Sequence, residues 1–319
     1  MARPKTSAGD VLFDAATALF ALVVVLITAG IGVILWRRSA ASIAQFGLAF
    51  WKTDIWDPVA GNFGARPFIW GTLYSSFLAL LISTPLALGI AIFLSELCPH
   101  RLRQPLAFLT ELLAAIPSIV YGLWGIFVLV PAIRTFQAAL PDWLRATPFF
   151  SGPPLGVGML SAAVILAIMV VPFSSSVARE VLKAAPAAQR EGAYALGATQ
   201  WEATKVTLHY TRIGILGAVM LGLGRALGET MAVTMVIGNT PQVALSLMAS
   251  QYTMAAVIAN EFAEATSQLH MSALVEIGLV LFTITLIVNA GSRLLIWNMT
   301  RPRPQRSVLA PVIAEEKTA

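Results

Sequence analysis

The chain has 319 residues, of which 57% are apolar and 12% are Asp, Glu, Lys or Arg, with a formal net charge of +5. Soluble domains carry about 25% charged residues, so the composition excludes a soluble enzyme, a disordered chain and a secreted disulfide scaffold. The single cysteine, Cys98, excludes an internal disulfide. The composition therefore indicates an integral membrane protein.

Six apolar stretches are long enough to cross the hydrocarbon core, which takes about 20 helical residues. They predict an all-α membrane protein with six transmembrane helices. In chain order the predicted spans are about 15–36, 68–95, 106–133, 155–178, 213–238 and 271–297. The first is predicted to be a retained span and not a signal peptide, because its apolar run exceeds about 15 residues and no convincing cleavage site follows. A transmembrane domain, 15–300, thus lies between two solvated tails, 1–14 and 301–319.

The basic residues indicate how the spans are oriented. With both termini cytoplasmic, fourteen Lys and Arg residues lie inside and six outside, while Arg225 falls within a span. Cytoplasmic loops carry the excess of Lys and Arg, so both termini are predicted to be cytoplasmic. The positive charge is then an orientation signal, and nucleic-acid binding is not expected.

Three further features belong to the spans and their loops. Glu111 and Glu276 lie near predicted span ends, where a side chain reaches water or packs against protein. Pro117 is expected to bend the third span. The external loop 239–270 has no Lys or Arg and is a plausible docking surface for an external protein.

The loop between the fourth and fifth spans, 179–211, is the most polar internal stretch on the cytoplasmic side. Pro186 is well placed to begin a helix, and Gly197 can end it in the left-handed conformation. Thr199 and Glu202 have the spacing of a capping box, which opens a second helix. The pattern predicts two helices joined by a glycine turn, either as an ordinary hairpin or as a surface for a partner.

The run Glu191-Gly192-Ala193, followed by Gly197, resembles the "EAA" loop of ABC importer membrane subunits, with Gly192 where the pattern has Ala. In that family the loop forms the coupling helix that docks on an ATPase subunit, so the resemblance implies a coupling loop at 179–211. The chain has no Gly-x-x-x-x-Gly-Lys-Ser/Thr sequence to cradle nucleotide phosphates. ATP is therefore expected to be hydrolysed on another polypeptide.

The fifth predicted span contains two charged residues, Arg225 and Glu229. Each costs at least about 2.5 kcal/mol at the bilayer centre, so both should face protein or water. At spacing i, i+4 they would share one helix face, and Gly224 and Gly228 would permit close helix packing. Either the two charges merely neutralise each other, or Arg225 offers paired donors to an oxyanion while Glu229 holds it and accepts a substrate proton. Thr230 and Thr234 are candidates to line the same pathway.

The run Gly222–Thr240, together with 111–122 and 260–265, resembles the membrane subunits of phosphate ABC importers over about residues 46–297. The resemblance implies a type I importer bundle in the bacterial inner membrane, with a transport role and no enzymatic activity. It implies a sister permease subunit, two ATPase subunits that hold ATP and Mg, an external phosphate-binding protein and surrounding membrane lipid. No cofactor or metal is expected on this chain.

Three alternatives stay open. The first is an importer subunit for another oxyanion, such as phosphonate, sulfate or molybdate. The second is a self-sufficient secondary anion transporter, against which the loop 179–211 argues. The third is a membrane-embedded enzyme, for which the sequence offers no nucleophile constellation or histidine cluster.

Overall fold

The computed structural model describes residues 8–300, so residues 1–7 and the predicted tail 301–319 lie outside the described part. Six described helices are long and apolar enough to span a membrane, and the described chain contains no strand. They are called the first to sixth spans below: Gly9–Arg38, Arg66–Leu97, Ser118–Ala139, Met159–Lys183, Gln200–Leu227 and Gln268–Met299. The all-α, six-span prediction is confirmed. An even number of spans places residues 8 and 300 on the same side of the membrane.

The remaining helices are short and lie at the ends of the spans. They are Ala40–Phe46, Gly47–Trp51, His100–Ala115, Asp142–Arg145, Ala187–Ala195, Met231–Val236 and Met254–Glu261. Two spans contain π-helical turns, at Phe93–Leu97 and Gly125–Leu129. After the second turn the third span continues as the helix Val130–Ala139.

The first span differs from its predicted start. Its helix runs from Ala8 to Arg38, so residues 8–14 belong to the helix and not to a tail. It is largely exposed along its length, and it packs on the sixth span where Gly32 meets the ring of Phe282. This span therefore offers most of its surface to lipid.

The predicted third span, 106–133, is wrong as a single helix. A separate helix, His100–Ala115, ends before Pro117, and the spanning helix begins at Ser118. Proline has no N–H to donate, and it forces the residue before it into an extended conformation; Ile116 accordingly has ψ 129°. The Tyr121 hydroxyl donates to the carbonyl oxygen of Leu113 at 2.8 Å, which bridges the break.

The predicted fifth span, 213–238, is wrong at both ends. It begins at Gln200, because Thr199 and Glu202 form the capping box and the loop helix continues into the span without a break. It ends at Leu227, with Gly228 as the C-cap. The short helix Met231–Val236 follows as a separate element. The fifth span is thus one helix of 28 residues that reaches from the loop 179–211 into the bundle.

Part of the external loop 239–270 is a core element, and its place as a docking surface stays a prediction. Tyr252, Met254 and Val257 are buried against the second and sixth spans. The backbone N–H of Met254 donates to Thr72 Oγ1 at 2.9 Å, and the carbonyl of Tyr252 lies where a side chain on Gly71 would stand. Only parts of the loop, among them Phe262 and Glu264, stay exposed.

Candidate functional site

The charged part of the fifth span is a break in the helix. The helix ends at Leu227, and Gly228, Glu229 and Thr230 connect it to the helix Met231–Val236. Non-helical backbone inside a membrane protein persists where it is buried in protein or lines a water-filled cavity. The free backbone groups at the break can therefore line a polar pathway at a lower energetic cost than any other part of this span.

Arg225 lies in the last turn of the fifth span and has an exposed side chain. Its guanidinium carbon is 5.9 Å from the centre of the Phe173 ring, on the fourth span. Within residues 8–300 it has no hydrogen bond and no ion pair. The carbonyl groups at a helix C-terminus favour a cation nearby. The side chain is thus a cation with free donors.

Glu229 does not lie on one helix face with Arg225, and that prediction is wrong because the helix ends between them. Its Oε1 instead accepts from the backbone N–H of Ala232 at 3.4 Å, at the start of the following helix. No ion pair within 4 Å joins Glu229 to Arg225 in the described chain. The two charges therefore do not neutralise each other by direct contact.

Thr230 and Thr234 lie beside Glu229 and are half-buried. Both hydroxyls donate to backbone oxygens, Thr230 to Gly228 at 3.4 Å and Thr234 to Thr230 at 2.7 Å. A hydroxyl keeps acceptor capacity when it donates. Their place in the pathway stays a prediction.

The broken third span packs against the helix that follows the break in the fifth. A Cβ added to Gly122 would lie 2.5 Å from Met235 Sδ and 3.2 Å from Ala232 Cα, and one on Gly125 would lie 2.9 Å from Val236 Cγ1. These glycines allow the two interrupted spans to touch. Tyr121, next to Gly122, lies within electrostatic range of Arg225.

Close packing of the fifth span inside this chain uses Gly222 and not the predicted Gly224 and Gly228. A Cβ on Gly222 would lie 2.5 Å from Ser174 Oγ, whereas the nearest atoms to a Cβ on Gly224 and Gly228 are 3.9 Å and 3.7 Å away. The tight contact within the described chain is thus made at Gly222, and a packing role for Gly224 and Gly228 stays a prediction.

The helix Ala187–Ala195, called the docking helix below, has no buried residue. It ends as predicted, because Gly197 has φ +80°. The N–H groups of Gly197 and Ala198 donate to the carbonyls of Tyr194 and Ala193 at 2.9 and 3.1 Å. The predicted elements Glu191, Gly192, Ala193 and Gly197 therefore lie on one short, capped and accessible helix and its turn.

The family described as "Binding-protein-dependent transport system inner membrane component" matches residues 87–300. The chain belongs to this family. It is therefore a multi-pass inner-membrane permease component, a transport subunit and not an enzyme.

Curated relatives cover almost the whole permease. One from Mesorhizobium japonicum, "Phosphate transport system permease protein PstC", is 47% identical over 290 residues, 89% of each chain. One of the same name from Haemophilus influenzae is 49% identical over 92% of this chain and 94% of its own. A "probable" phosphate permease of that name from Methanocaldococcus jannaschii is 40% identical over 78% of this chain and 81% of its own.

Solved structures share the permease fold. Two chains of the MetNI methionine ABC transporter superpose with TM-scores of 0.54 and 0.56, at 17% and 16% identity. Each superposition covers 73% of this permease and at least 94% of the other chain. At this identity the likeness establishes the fold alone, and it confirms the predicted ABC importer bundle.

The two carboxylates left open by the sequence have defined surroundings in the permease. Glu111 lies on the helix before the third span and pairs with Arg179 at 2.8 Å; Arg179 is buried and also contacts Glu180 at 3.0 Å. Glu276 does not reach water: it is 3% exposed and packs beside Ser42 of the helix Ala40–Phe46.

The outer face of the permease holds a polar cavity of about 700 Å³ that includes Tyr252, Asn260, Glu261 and His270. Glu261 Oε2 accepts from Trp56 Nε1 at 2.8 Å and lies 3.1 Å from His270 Nε2. Burial raises the pKa of Tyr252 to about 12, so its hydroxyl stays protonated and accepts from Asn260 Nδ2 at 2.9 Å. Sequence reasoning missed the contact between Trp56 and Glu261 because the two residues are separated by 205 positions.

Proposed function

We propose that the chain is the channel-forming permease subunit of an ATP-driven importer of inorganic phosphate. Its curated relatives are named as phosphate permeases. The observation that carries the proposal is Arg225, an exposed cation without an ion-pair partner beside a helix break in a spanning segment. An unpaired arginine at this depth is retained where it meets an anion or water.

The proposed complex contains four kinds of subunit. A sister permease subunit would face the exposed side of the fifth span and complete the pathway. Two ATPase subunits would hold ATP and Mg, and one of them would receive the docking helix. An external phosphate-binding protein would deliver the anion to the outer face. This arrangement agrees with a chain that carries no phosphate-cradling motif of its own.

The mechanism follows from the continuity of the fifth span. Closure of the ATPase dimer on ATP would move the docking helix, and the next helix begins only a few residues later at Gln200. Because that helix continues without interruption to Leu227, the displacement reaches Arg225. Alternating access then opens the break first to the binding protein and later to the cytoplasm.

Glu229 supplies a basis for the selection of phosphate over sulfate. One carboxylate oxygen accepts from Ala232 N–H, and the other remains available as an acceptor. Hydrogen phosphate carries an O–H that can donate to a carboxylate, whereas fully ionised sulfate presents only acceptors, and facing acceptors are costly. Arg225 would supply charge-assisted donors to either anion.

The test is reconstitution of the importer with its sister subunit, ATPase and binding protein, followed by ATP-driven phosphate uptake. Arg225→Gln should lower uptake about 10-fold or more, the loss expected for a charge-assisted hydrogen bond of at least about 1.5 kcal/mol. Arg212→Gln is the matched control, since Arg212 is an exposed arginine on the same helix. Unchanged uptake by Arg225→Gln would remove Arg225 from the pathway.

The alternatives give different results in the same vesicles. An importer for sulfate, molybdate or phosphonate would move that anion in preference to phosphate. Glu229→Gln should narrow the preference for phosphate over sulfate, and an unchanged preference would contradict the role given to Glu229. A secondary transporter would move phosphate as the lone chain under an ion gradient, without ATP.

A further inference from the structure

The docking helix carries one side chain that binds the body of the bundle. Within the described chain, Arg190 is the residue of this helix whose side chain makes hydrogen bonds or an ion pair outside it. Its Nη2 lies 2.7 Å from Glu96 Oε1 and donates to the carbonyl oxygen of Leu182 at 3.0 Å. Its Nε donates to Thr207 Oγ1 at 3.4 Å. A single guanidinium thus has two hydrogen-bond acceptors and one ion-pair partner.

Each of these three partners of Arg190 belongs to a different span. Glu96 lies in the π-helical turn that ends the second span, Leu182 lies in the last turn of the fourth, and Thr207 lies on the cytoplasmic part of the fifth. The three spans meet where their cytoplasmic ends approach the docking helix. Only the planar guanidinium presents donors in several fixed directions, so lysine is not an equivalent residue here.

The ion pair is well shielded from water. The Glu96 side chain is 10% exposed and that of Arg190 is 28% exposed. A carboxylate buried to this extent is costly unless a partner neutralises it. Leu182 adds a carbonyl from a helix C-terminus, where the partial negative charge also favours a cation. We therefore expect the ion pair between Arg190 and Glu96 to stay formed when the loop moves.

The next residue has the opposite environment. Glu191 is exposed and has no partner within residues 8–300. Tyr194 and Leu196, later in the same segment, are also exposed. One side of the docking helix is thus free for another protein, while Arg190 is committed to the bundle. In a coupling element, the exposed side that includes Glu191 would receive a movement from the partner, and Arg190 would pass that movement on to the bundle.

We propose that Arg190 is a positioning residue that clamps the docking helix to the second, fourth and fifth spans, so that the three spans follow the helix as one body. The proposal rests on the proposed importer function. Without the clamp, the docking helix still meets the ATPase, but its movement is passed on only through the backbone turns at its two ends. ATP hydrolysis then continues while the spans respond incompletely.

The first experiment measures phosphate moved per ATP hydrolysed by the complete reconstituted importer. Arg190→Gln and Glu96→Gln should each lower this ratio at least about fivefold, the lower end of the usual coupling between sites. Hydrolysis stimulated by the loaded binding protein should persist. Arg190→Lys should give an intermediate ratio, because it keeps the charge and loses the fork. The control is Lys183→Gln, which removes a charge whose partner, Glu180, lies on its own helix.

A second measurement follows the movement itself. Spin labels on Gln189, in the docking helix, and Leu97, at the end of the second span, are placed in a Cys98→Ala background; both sites are exposed. In the otherwise unsubstituted complex the distance between the labels should stay constant when ATP is added. In Arg190→Gln it should change. If the Arg190→Gln complex fails to assemble, the distance between the labels in the otherwise unsubstituted complex is the remaining test.

The outcomes separate the two proposals. Failure of the wild-type complex to take up phosphate with ATP would overturn the importer function. Normal uptake by wild type, with an unaltered phosphate-to-ATP ratio in both Gln variants, would overturn the clamp alone. An ATP-dependent change of the label distance in the unsubstituted complex would also overturn it, because the docking helix and second span would then not move as one body.

Discussion

The glycine turn after the docking helix allows a sharp test of how far local backbone geometry controls coupling. Gly197 has φ +80°, and a Cβ added there would have no heavy atom within 4 Å. A substitution at this position therefore changes the backbone energy and introduces no clash. Few positions in the chain separate these two effects so cleanly.

Gly197→Ala should weaken the end of the docking helix by about 1–2 kcal/mol, the cost of a left-handed conformation for a residue with a Cβ. That cost is about a 5- to 30-fold shift in the equilibrium between the closed and frayed last turn. The hydrogen bonds lost on fraying are those from Gly197 and Ala198 to Tyr194 and Ala193. Gly197→Asn should cost less, because asparagine tolerates this conformation better.

Gly192→Ala is the matched control. Gly192 lies inside the docking helix, and a Cβ there also meets no atom within 4 Å. Alanine favours a helix interior by about 1 kcal/mol over glycine, so this variant should hold the helix more firmly. The same change, glycine to alanine five residues apart, should thus have opposite effects.

The assay is amide hydrogen exchange over residues 187–198 in the purified permease pair, together with ATP-driven phosphate uptake by the full importer. Exchange should be slowest in Gly192→Ala, then in the wild type, then in Gly197→Asn, and fastest in Gly197→Ala. Uptake should fall in the order wild type, Gly197→Asn, Gly197→Ala. If Gly197→Ala exchanges no faster than the wild type, the left-handed turn does not hold the helix end and the reasoning is refuted.

Three further predictions concern packing and buried polar groups, each read from the thermal unfolding midpoint of the purified complex. Gly222→Ala should lower the free energy of unfolding by about 1–3 kcal/mol through overpacking. Gly217→Ala, on the same span but with no neighbour within 4 Å of an added Cβ, should raise the free energy of unfolding by up to about 1 kcal/mol. Equal midpoints for the two variants would contradict the packing argument. Glu276→Leu should raise the free energy of unfolding by about 1–3 kcal/mol, and the midpoint with it, because the buried Oε2 has no partner in the described chain. A lower midpoint would mean that the carboxyl is satisfied in the complex. Glu261→Gln should lower the free energy of unfolding by about 1–2 kcal/mol through weaker hydrogen bonds, and the midpoint should fall with it. Glu264→Gln, at an exposed neighbour, should leave the midpoint unchanged; a matching fall in both variants would show a general charge effect.

Local signals predicted well wherever a few neighbouring residues determine the structure. The six spans follow from apolar length, and the turn at Gly197 and the capping box at Thr199 follow from residues within three or four positions of one another. The same local character explains the success at the docking helix. Each of these features depends on residues that are close together in the chain.

The errors arose where distant contacts or a single backbone residue interrupt an apolar run. A hydropathy profile does not predict that the helix ends at Leu227, because residues 231–237 are largely apolar as well. Arg225 and Glu229 were therefore placed on one face of a helix that stops between them. For Glu276 the sequence left open whether the side chain reaches water or packs against protein. The helix Ala40–Phe46 covers it, a contact across more than 200 positions that no sequence window includes.

The length of the fifth span has a consequence for angular register. A helix turns by about 100° per residue and rises 1.5 Å, so the 28 residues from Gln200 to Leu227 fix the direction of Arg225 relative to the coupling loop. An insertion of one residue between Thr207 and Arg225 would turn the arginine by about 100° while leaving the loop, its cap and the Arg190 contacts intact. An insertion of seven would almost restore the direction and displace the arginine by about 10 Å. The number of residues in the fifth span therefore determines the direction in which Arg225 points, in addition to the displacement that the span transmits.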